Sequence, residues 1–271
     1  MPQEDLLKKK FDELKKKKKC GFISFITAGD PDFNTSYKIL EKLPESGVDI
    51  IELGMPFSDP MADGPIIQKA NDRAIKNKIN LKKTFGLIKK FRKKNKITPL
   101  VLMGYYNPIH RFGIKNFINQ INKNKVNGII VVDLPPEEDN ELCLPVMKNK
   151  IHFIKLATPT TDKNRFKKII KNSSGFIYYV SITGITGANY KSNIKLEREI
   201  KNLKKLTELP IAVGFGIKNK KDVKKLSEYA DAVVVGSSII KRVEEALKKK
   251  YNKIKLINYV LSYIKNLSSA L

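Results

Sequence analysis

The sequence predicts an α/β protein that folds as a single (β/α)8 barrel with an extra N-terminal helix and short additional helices. Apolar segments of strand length alternate with segments of helical periodicity in eight successive units. The strand-length segments are almost continuously apolar, which is typical of parallel strands covered on both faces. With 271 residues and 41% hydrophobic content, the chain can bury one core of barrel size. We therefore expect residues 1–271 to form one barrel domain.

The predicted strands are short apolar runs that end in loop signals. They lie at residues 22–27, 48–53, 100–103, 128–133, 152–156, 176–180, 211–214 and 232–235. The helical segments between them lie at residues 37–43, 81–91, 114–121, 138–147, 165–170, 196–206, 222–226 and 239–247. Pro44 is expected to end the first of these helices early, because proline disrupts a helix interior.

Three more helices are expected outside the eightfold alternation. Residues 4–19 predict an amphipathic lid helix before the first strand, because their large apolar side chains recur at helical spacing and lysines fill the other face. Residues 66–75 predict a short extra helix after the second strand. Residues 254–264 predict a closing helix at the end of the chain.

The formal net charge of +26 is extreme for a chain of this length. Such a charge could attract nucleic acid, an anionic membrane surface or an acidic partner. Nearly all the positive residues are lysines, however, and they occur on every helical segment. Nucleic-acid sites concentrate basic residues on one face and add arginine or stacking aromatics. We interpret the lysines as a solvated surface and expect no nucleic-acid partner.

Cysteine, histidine and hydropathy patterns narrow the class of protein further. Cys20 and Cys143 are the only cysteines, and the N-terminal stretch is polar and lysine-rich rather than a signal peptide. No apolar run approaches the roughly 18 to 20 residues needed to cross a bilayer. The pattern predicts a cytoplasmic protein without membrane contact. His110 and His152 lie on different units without metal-ligand spacing, so we expect no metal and no Ser-His-Asp triad.

An acid-bearing loop follows the second predicted strand. Glycines and prolines between residues 54 and 65 prevent the chain from continuing as strand or starting a helix, so it must open into an ordered loop. Glu52 stands at the strand end, and Asp63 stands in the loop. Two carboxylates in different surroundings can have separated pKa values and divide general acid from general base chemistry. We expect Glu52 to be partly desolvated and Asp63 to be more hydrated and therefore ionised.

Glycine-rich turns follow the last three strands and predict a phosphate site. Active sites of such barrels lie at the C-terminal ends of the strands, and phosphate often binds at loops seven and eight. Glycine allows close approach of the backbone to a ligand, and N–H groups at a helix N-terminus favour anions. The expected contacts are backbone N–H groups of Gly187, Gly216, Gly236 and Ser237.

Two enzyme alternatives and one binding alternative stay open from the residues alone. Lys155 in the fifth strand could form a Schiff base with a carbonyl substrate, provided that it faces the barrel interior together with Phe153. A sugar-phosphate isomerase would use a similar phosphate site. A basic nucleic-acid-binding module would instead show strongly salt-dependent binding.

The acidic loop, residues 52–68, resembles the signature loop of the tryptophan synthase alpha chain family. Its sequence begins Glu-Leu-Gly-Met-Pro-Phe-Ser-Asp-Pro-Met-Ala-Asp-Gly-Pro. Further segments resemble the family in the same order, so that the resemblance covers most of the chain: residues 25–32, 102–108, 131–135, 179–187 and 213–217.

The resemblance implies a lyase of the last steps of L-tryptophan biosynthesis. The reaction would be retro-aldol cleavage of indole-3-glycerol phosphate to indole and glyceraldehyde 3-phosphate. We expect Glu52 to move protons at indole C3 and the glycerol hydroxyl, and Asp63 to act at the indole N–H. The family pattern assigns a supporting role to Tyr178. It also assigns indole packing to Phe25 and Met103, and a hydrogen bond to Asp63 from Thr186.

The resemblance also implies a partner. A beta chain carrying pyridoxal phosphate would join this chain in an alpha2beta2 tetramer and dock at the barrel mouth through loops two and six. This chain would hold no cofactor. Residues 181–193 are expected to form a lid over the substrate, because Gly184 and Gly187 permit movement of the backbone.

Overall fold

A computed structural model describes residues 4–181, 190–214 and 216–271. In that part of the chain, eight parallel strands pair in sequence order, and the last strand pairs with the first to close a barrel. The predicted (β/α)8 barrel is therefore confirmed. The strands are β1 Gly21–Thr27, β2 Ile50–Gly54, β3 Leu100–Gly104, β4 Gly128–Val131, β5 His152–Ala157, β6 Ile177–Val180, β7 Ile211–Gly214 and β8 Ala232–Val235.

Helices surround the barrel, and extra helices precede, interrupt and follow the eightfold alternation. They are α1 Leu6–Lys16, α2 Phe33–Lys42, α3 Pro65–Lys76, α4 Leu81–Lys94, α5 Tyr106–Phe112, α6 Ile114–Lys123, α7 Asn140–Lys148, α8 Lys163–Lys171, α9 Tyr190–Lys204, α10 Lys220–Ser227, α11 Ser237–Lys248 and α12 Lys253–Ser268. A 3-10 turn, Pro44–Ser46, follows α2 directly, so Pro44 ends that helix as predicted.

The core has two layers because side chains alternate along each strand. Inward-facing residues such as Ile23, Ile50 and Val101 fill the barrel. Outward-facing residues such as Ile51 and Leu53 pack against the surrounding helices. The register places Glu52 opposite Phe25 of β1 on one side and opposite Val101 of β3 on the other, so Glu52 belongs to the inward-facing set.

Helix α1 covers the end of the barrel where the strands begin. Leu7, Phe11 and Leu14 are buried in the same cluster as the barrel interior, and the Phe11 ring centroid lies 5.7 Å from that of Phe176. The lysines of α1 face solvent, as the amphipathic pattern predicts. The helix therefore closes the end opposite to the mouth, and the mouth stays open for a site.

Helix α2 begins earlier than the sequence pattern predicts, and helix α5 has no predicted counterpart. Helix α2 begins at Phe33, before the predicted start at residue 37, because the Asp32 carboxylate accepts from the N–H groups of Asn34 and Thr35. Helix α5 was not predicted, because seven residues are too few for a periodic pattern. Asp133 caps it by accepting from the Tyr106 N–H at 2.8 Å.

No helix within the described residues is both long and apolar enough to span a membrane.

Candidate active site

Glu52 lies inside the barrel near its C-terminal mouth. Its side chain is buried, with a relative exposure of 1% for the residue. Burial and, to a smaller extent, the negative charge of Asp63 together raise the pKa of the Glu52 carboxyl to about 8. Among the described residues, none hydrogen-bonds to Glu52 Oε2. Glu52 is therefore a carboxyl that holds a proton near neutral pH and has an oxygen free for a substrate.

Asp63 lies in the loop between β2 and α3, and hydrogen bonds fix it there. Its N–H donates to the carbonyl of Pro60 at 3.0 Å, and Asn71 Nδ2 donates to its Oδ2 at 3.2 Å. Partial burial raises the pKa of Asp63, whereas the hydrogen bonds from Asn71 and Tyr105 lower it. Asp63 is therefore more exposed than Glu52, as expected, but its ionised form depends on these donors as well as on water.

Tyr105 and Asn71 are the neighbours of Asp63 that sequence reasoning missed. The Tyr105 hydroxyl accepts from the N–H of Ala62 at 3.1 Å and hydrogen-bonds to Asp63. Its ring packs on Phe57 with a centroid distance of 5.2 Å. Tyr105 stands directly after the third predicted strand, but nothing in the sequence pattern marks Asn71 as a neighbour of Asp63.

Tyr178 faces the same interior space from β6. Burial raises its pKa well above the usual 10, and the charges of Glu52 and Asp63 act in the same direction. The hydroxyl therefore stays protonated. A Cβ atom on Gly214 of the neighbouring strand would lie 2.5 Å from this hydroxyl, so glycine leaves the space that the tyrosine occupies.

An apolar pocket wall adjoins the carboxyls. Phe25, Ala70 and Ile240 form a buried cluster, and Met103 packs against it together with Ile66 and Ile67. Phe25 stands between Gly54 and Gly236, where added Cβ atoms would lie 2.6 Å and 3.2 Å from its side chain. The structure thus brings Phe25 and Met103 together beside Glu52, as a site for a flat aromatic group requires.

The N-terminus of α11 lies at the same mouth. Gly236 ends the β8 turn and Ser237 starts this twelve-residue helix, whose first N–H groups have no intrahelical acceptors. Gly216 has a positive φ of 76°, a backbone conformation that glycine adopts without strain. Thr186 and Gly187, together with most of the expected lid, lie outside the described residues.

The Schiff-base alternative is wrong. Phe153 packs in the outer layer against the helices, and Lys155 faces the same way, because Ile154 and Leu156 are the inward-facing residues of β5. Lys155 Nζ lies 2.5 Å from Oδ2 of the buried Asp139. A lysine outside the barrel cannot reach a substrate at its mouth.

In the described ranges, no group of three His, Cys, Asp or Glu residues is placed so that it could hold a metal ion. His152 lies at the start of β5, at the opposite end from the mouth, and its Nε2 is 2.8 Å from Oδ1 of Asp5.

A buried carboxyl with a raised pKa at the mouth of a (β/α)8 barrel, beside an apolar cluster and a helix N-terminus, is typical of an enzyme that performs acid–base chemistry. The family model described as tryptophan synthase alpha chain matches residues 11–268. The chain therefore belongs to the tryptophan synthase alpha chain family. Members of this family are lyases that act on indole-3-glycerol phosphate in tryptophan biosynthesis, and this chain is one of them.

Solved structures agree with this assignment. The chain is similar to tryptophan synthase subunit alpha from Legionella pneumophila strain Paris, with 34% identity, 98% of each chain covered and a TM-score of 0.91. A chain from Aquifex aeolicus VF5 has 34% identity, 99% coverage of both chains and a TM-score of 0.88. A tryptophan synthase chain from Mycobacterium tuberculosis has 26% identity, 97% coverage of both and a TM-score of 0.86. Alpha chains of this family carry no cofactor and form complexes with a beta chain, which holds the pyridoxal phosphate.

Proposed function

We propose that Glu52 and Asp63 are the catalytic carboxyls with which this chain cleaves indole-3-glycerol phosphate into indole and glyceraldehyde 3-phosphate. The proposal rests on the burial of Glu52 beside Asp63, because this environment raises the Glu52 pKa to about 8. A carboxyl with that pKa can both give and take a proton near neutral pH, and general acid–base catalysis is most efficient there.

The cleavage needs one proton delivered to indole C3 and one proton removed from the glycerol hydroxyl. Glu52 gives its proton to indole C3 while the bond from C3 to the glycerol carbon breaks. The glycerol hydroxyl loses its proton to Glu52 and becomes the aldehyde carbonyl. No net oxidation or reduction occurs. Asp63 accepts a hydrogen bond from the indole N–H and stabilises the positive charge that develops on the ring.

The remaining site residues bind and orient the substrate. Phe25 and Met103 pack against the indole ring, and the protonated Tyr178 hydroxyl supports the two carboxyls. The phosphate binds the N–H group of Gly216 in the loop after β7 and those of Gly236 and Ser237 at the α11 N-terminus. The family resemblance adds Gly187 to this set, and it adds a Thr186 hydrogen bond to Asp63.

We also propose that residues 1–271 form a single barrel domain and that the protein is cytoplasmic. It forms an alpha2beta2 complex with the beta chain. The beta chain docks on the mouth through loops two and six. In loop two, Met61 is 80% exposed, which is unusual for a large apolar side chain and fits a partner surface.

The test is release of indole from indole-3-glycerol phosphate by the purified chain, with and without a beta chain. Wild type should release indole, and Glu52→Gln and Asp63→Asn should lose about 10²- to 10⁴-fold in kcat/KM while keeping the wild-type circular dichroism spectrum. Asp59→Asn is the matched control, because Asp59 is an exposed acid of the same loop whose side chain accepts a hydrogen bond from the neighbouring Ser58. A Glu52→Gln variant with near-normal rates would remove Glu52 from the mechanism.

A further inference from the structure

A buried ion pair outside the proposed chemistry joins the loop after β1 to helix α3. The carboxylate of Asp30 accepts two hydrogen bonds from Arg73, from Nε to Oδ1 at 2.6 Å and from Nη2 to Oδ2 at 2.8 Å. The side chain of Asp30 is 1% exposed, and that of Arg73 is 22% exposed. Such two-point pairing fixes the orientation of both side chains as well as their distance.

Two further contacts join the same loop to the C-terminal part of α3. Asn77 Nδ2 donates to the carbonyl of Pro31 at 2.7 Å. A Cβ atom on Gly29 would overlap Ile79, so the loop backbone lies directly against that side chain. Because Arg73 and Asn77 are one turn apart on α3, these contacts hold one face of the helix on the β1 loop.

Two other residues of α3, Ala70 and Asn71, reach the proposed active site. Asn71 hydrogen-bonds to Asp63, and Ala70 is fully buried against Phe25 in the apolar pocket wall. The acidic loop also runs straight into the first turn of α3. A small displacement of this helix would therefore change both the hydrogen bond to Asp63 and the shape of the pocket.

We propose that Asp30 and Arg73 are positioning residues, which hold α3 so that Asn71 stays hydrogen-bonded to Asp63 and Ala70 stays packed on Phe25. The inference rests on the proposed roles of Asp63 and Phe25. It gives a function to a charge pair that touches neither carboxyl of the site.

Arg73→Lys is the main test, because lysine keeps the charge but cannot form the parallel two-point pair. The variant should lose about 10- to 100-fold in kcat/KM, as expected for a shift of the site by about 1 Å. The Asn71 hydrogen bond lowers the pKa of Asp63, so its weakening should move the acid limb of the pH profile to higher pH. The ionisable groups that face Asp63 from β2, the β3 end and β6, namely Glu52, Tyr105 and Tyr178, are unchanged in the variant.

Arg92→Lys is the matched control. Arg92 is a buried arginine of α4 that donates to the carbonyl of Thr98, the carbonyl of Lys125 and Oδ1 of Asn127, none of which contacts the site. This variant should lose thermal stability and keep the wild-type acid limb. If Arg73→Lys cannot be obtained folded, Asn77→Ala removes the exposed contact to Pro31 and should shift the acid limb less but in the same direction.

The two proposals fail separately. Loss of indole release by wild type would contradict the proposed function. Whether or not the wild type releases indole, a ¹³C NMR titration of the Asp63 carboxyl measures the positioning effect directly, because the titration needs no turnover. An Asp63 pKa that is the same in wild type, Arg73→Lys and Asn77→Ala would overturn the positioning role and leave the ion pair as a contribution to stability only.

Discussion

At the residue scale, the environment of Glu52 makes stability and catalysis oppose each other. The folded protein raises its pKa from 4.5 to about 8, so the native state holds a proton that the unfolded chain releases between these pH values. The free energy of unfolding therefore falls as pH rises through this range. Burying a carboxyl without a full set of hydrogen-bond partners lowers the stability of the fold, and the site keeps this carboxyl because its chemistry needs it.

Glu52→Gln is consequently expected to stabilise the fold at alkaline pH. One pKa unit corresponds to about 1.4 kcal/mol, so a rise from 4.5 to about 8 corresponds to a gain on the order of 5 kcal/mol above pH 8 and little gain below pH 4.5. Urea unfolding at pH 5 and pH 9 measures the difference. Equal effects of the substitution at both pH values would show that Glu52 is not protonated in the native state.

Glu41→Gln provides the control of opposite sign. Hydrogen bonds from Lys94 and Lys38 lower the pKa of Glu41 to about 2, so its contribution to stability is present above pH 4.5 and is lost as pH falls towards 2. The substitution should therefore destabilise the protein near neutral pH and have no effect at the acid end.

The pH dependence of turnover follows from the same carboxyl. Glu52 must carry a proton to indole C3, so kcat/KM should fall about tenfold per pH unit above its pKa of about 8. The acid limb belongs to Asp63, whose burial raises its pKa above the usual 3.8. Asp59→Asn should leave both limbs in place. A rate that stays constant up to pH 10 would rule out the protonated form of Glu52 as the donor.

Sequence reasoning identified the acids but not their neighbours. Glu52 and Asp63 were predictable, because a strand end and a proline-rich loop mark their positions. The contacts of Asp63 with Asn71 and Tyr105 depend on how α3 lies against the end of β3, which no local pattern encodes. For the same reason the partial burial of Asp63 was not predicted, since hydration of a loop residue depends on the elements packed over it.

At the element scale, strand β5 and the residue that precedes helix α7 share a buried charge pair. Lys155 and Asp139 are both buried, and their atoms Nζ and Oδ2 lie 2.5 Å apart. The sequence left the direction of Lys155 open, because a short buried strand is apolar on both faces and its alternation gives no sign of which face is inward. In the structure Lys155 faces outward. The pair therefore contributes to the stability of the fold rather than to catalysis.

Lys155→Met should cost about 3 to 5 kcal/mol in the free energy of unfolding, because it leaves the Asp139 charge buried without a partner. The double variant with Asp139→Leu should recover most of this loss, since replacing both charges with apolar groups is often neutral. Urea unfolding of the two single variants and the double variant measures the coupling energy. The folded Lys155→Met protein should keep its kcat, and loss of turnover without loss of structure would restore a catalytic role for the lysine.

At the scale of the whole molecule, the two ends of the barrel have different tasks. Helix α1 and the His152–Asp5 contact close one end, while the acids, the apolar wall and the α11 N-terminus share the other. This division was predictable, because barrel strands run parallel and their C-terminal ends meet at one mouth. The tie between α3 and the β1 loop was not predictable, since it joins residues that are 43 positions apart.

The surface charge also acts on the whole molecule. With 53 basic and 27 acidic residues, pairing every carboxylate once would still leave many cations unpaired, so net repulsion opposes the compact state. Many observed pairs, such as Lys8 with Asp12, are exposed and contribute little individually. Raising the ionic strength from 0.01 M to 0.1 M shortens the screening length from about 30 Å to about 10 Å. The thermal midpoint should therefore rise with sodium chloride by a few degrees in scanning calorimetry. A midpoint that falls instead would mean that the surface ion pairs outweigh the repulsion, and that the lysines have a more specific arrangement than a solvated surface.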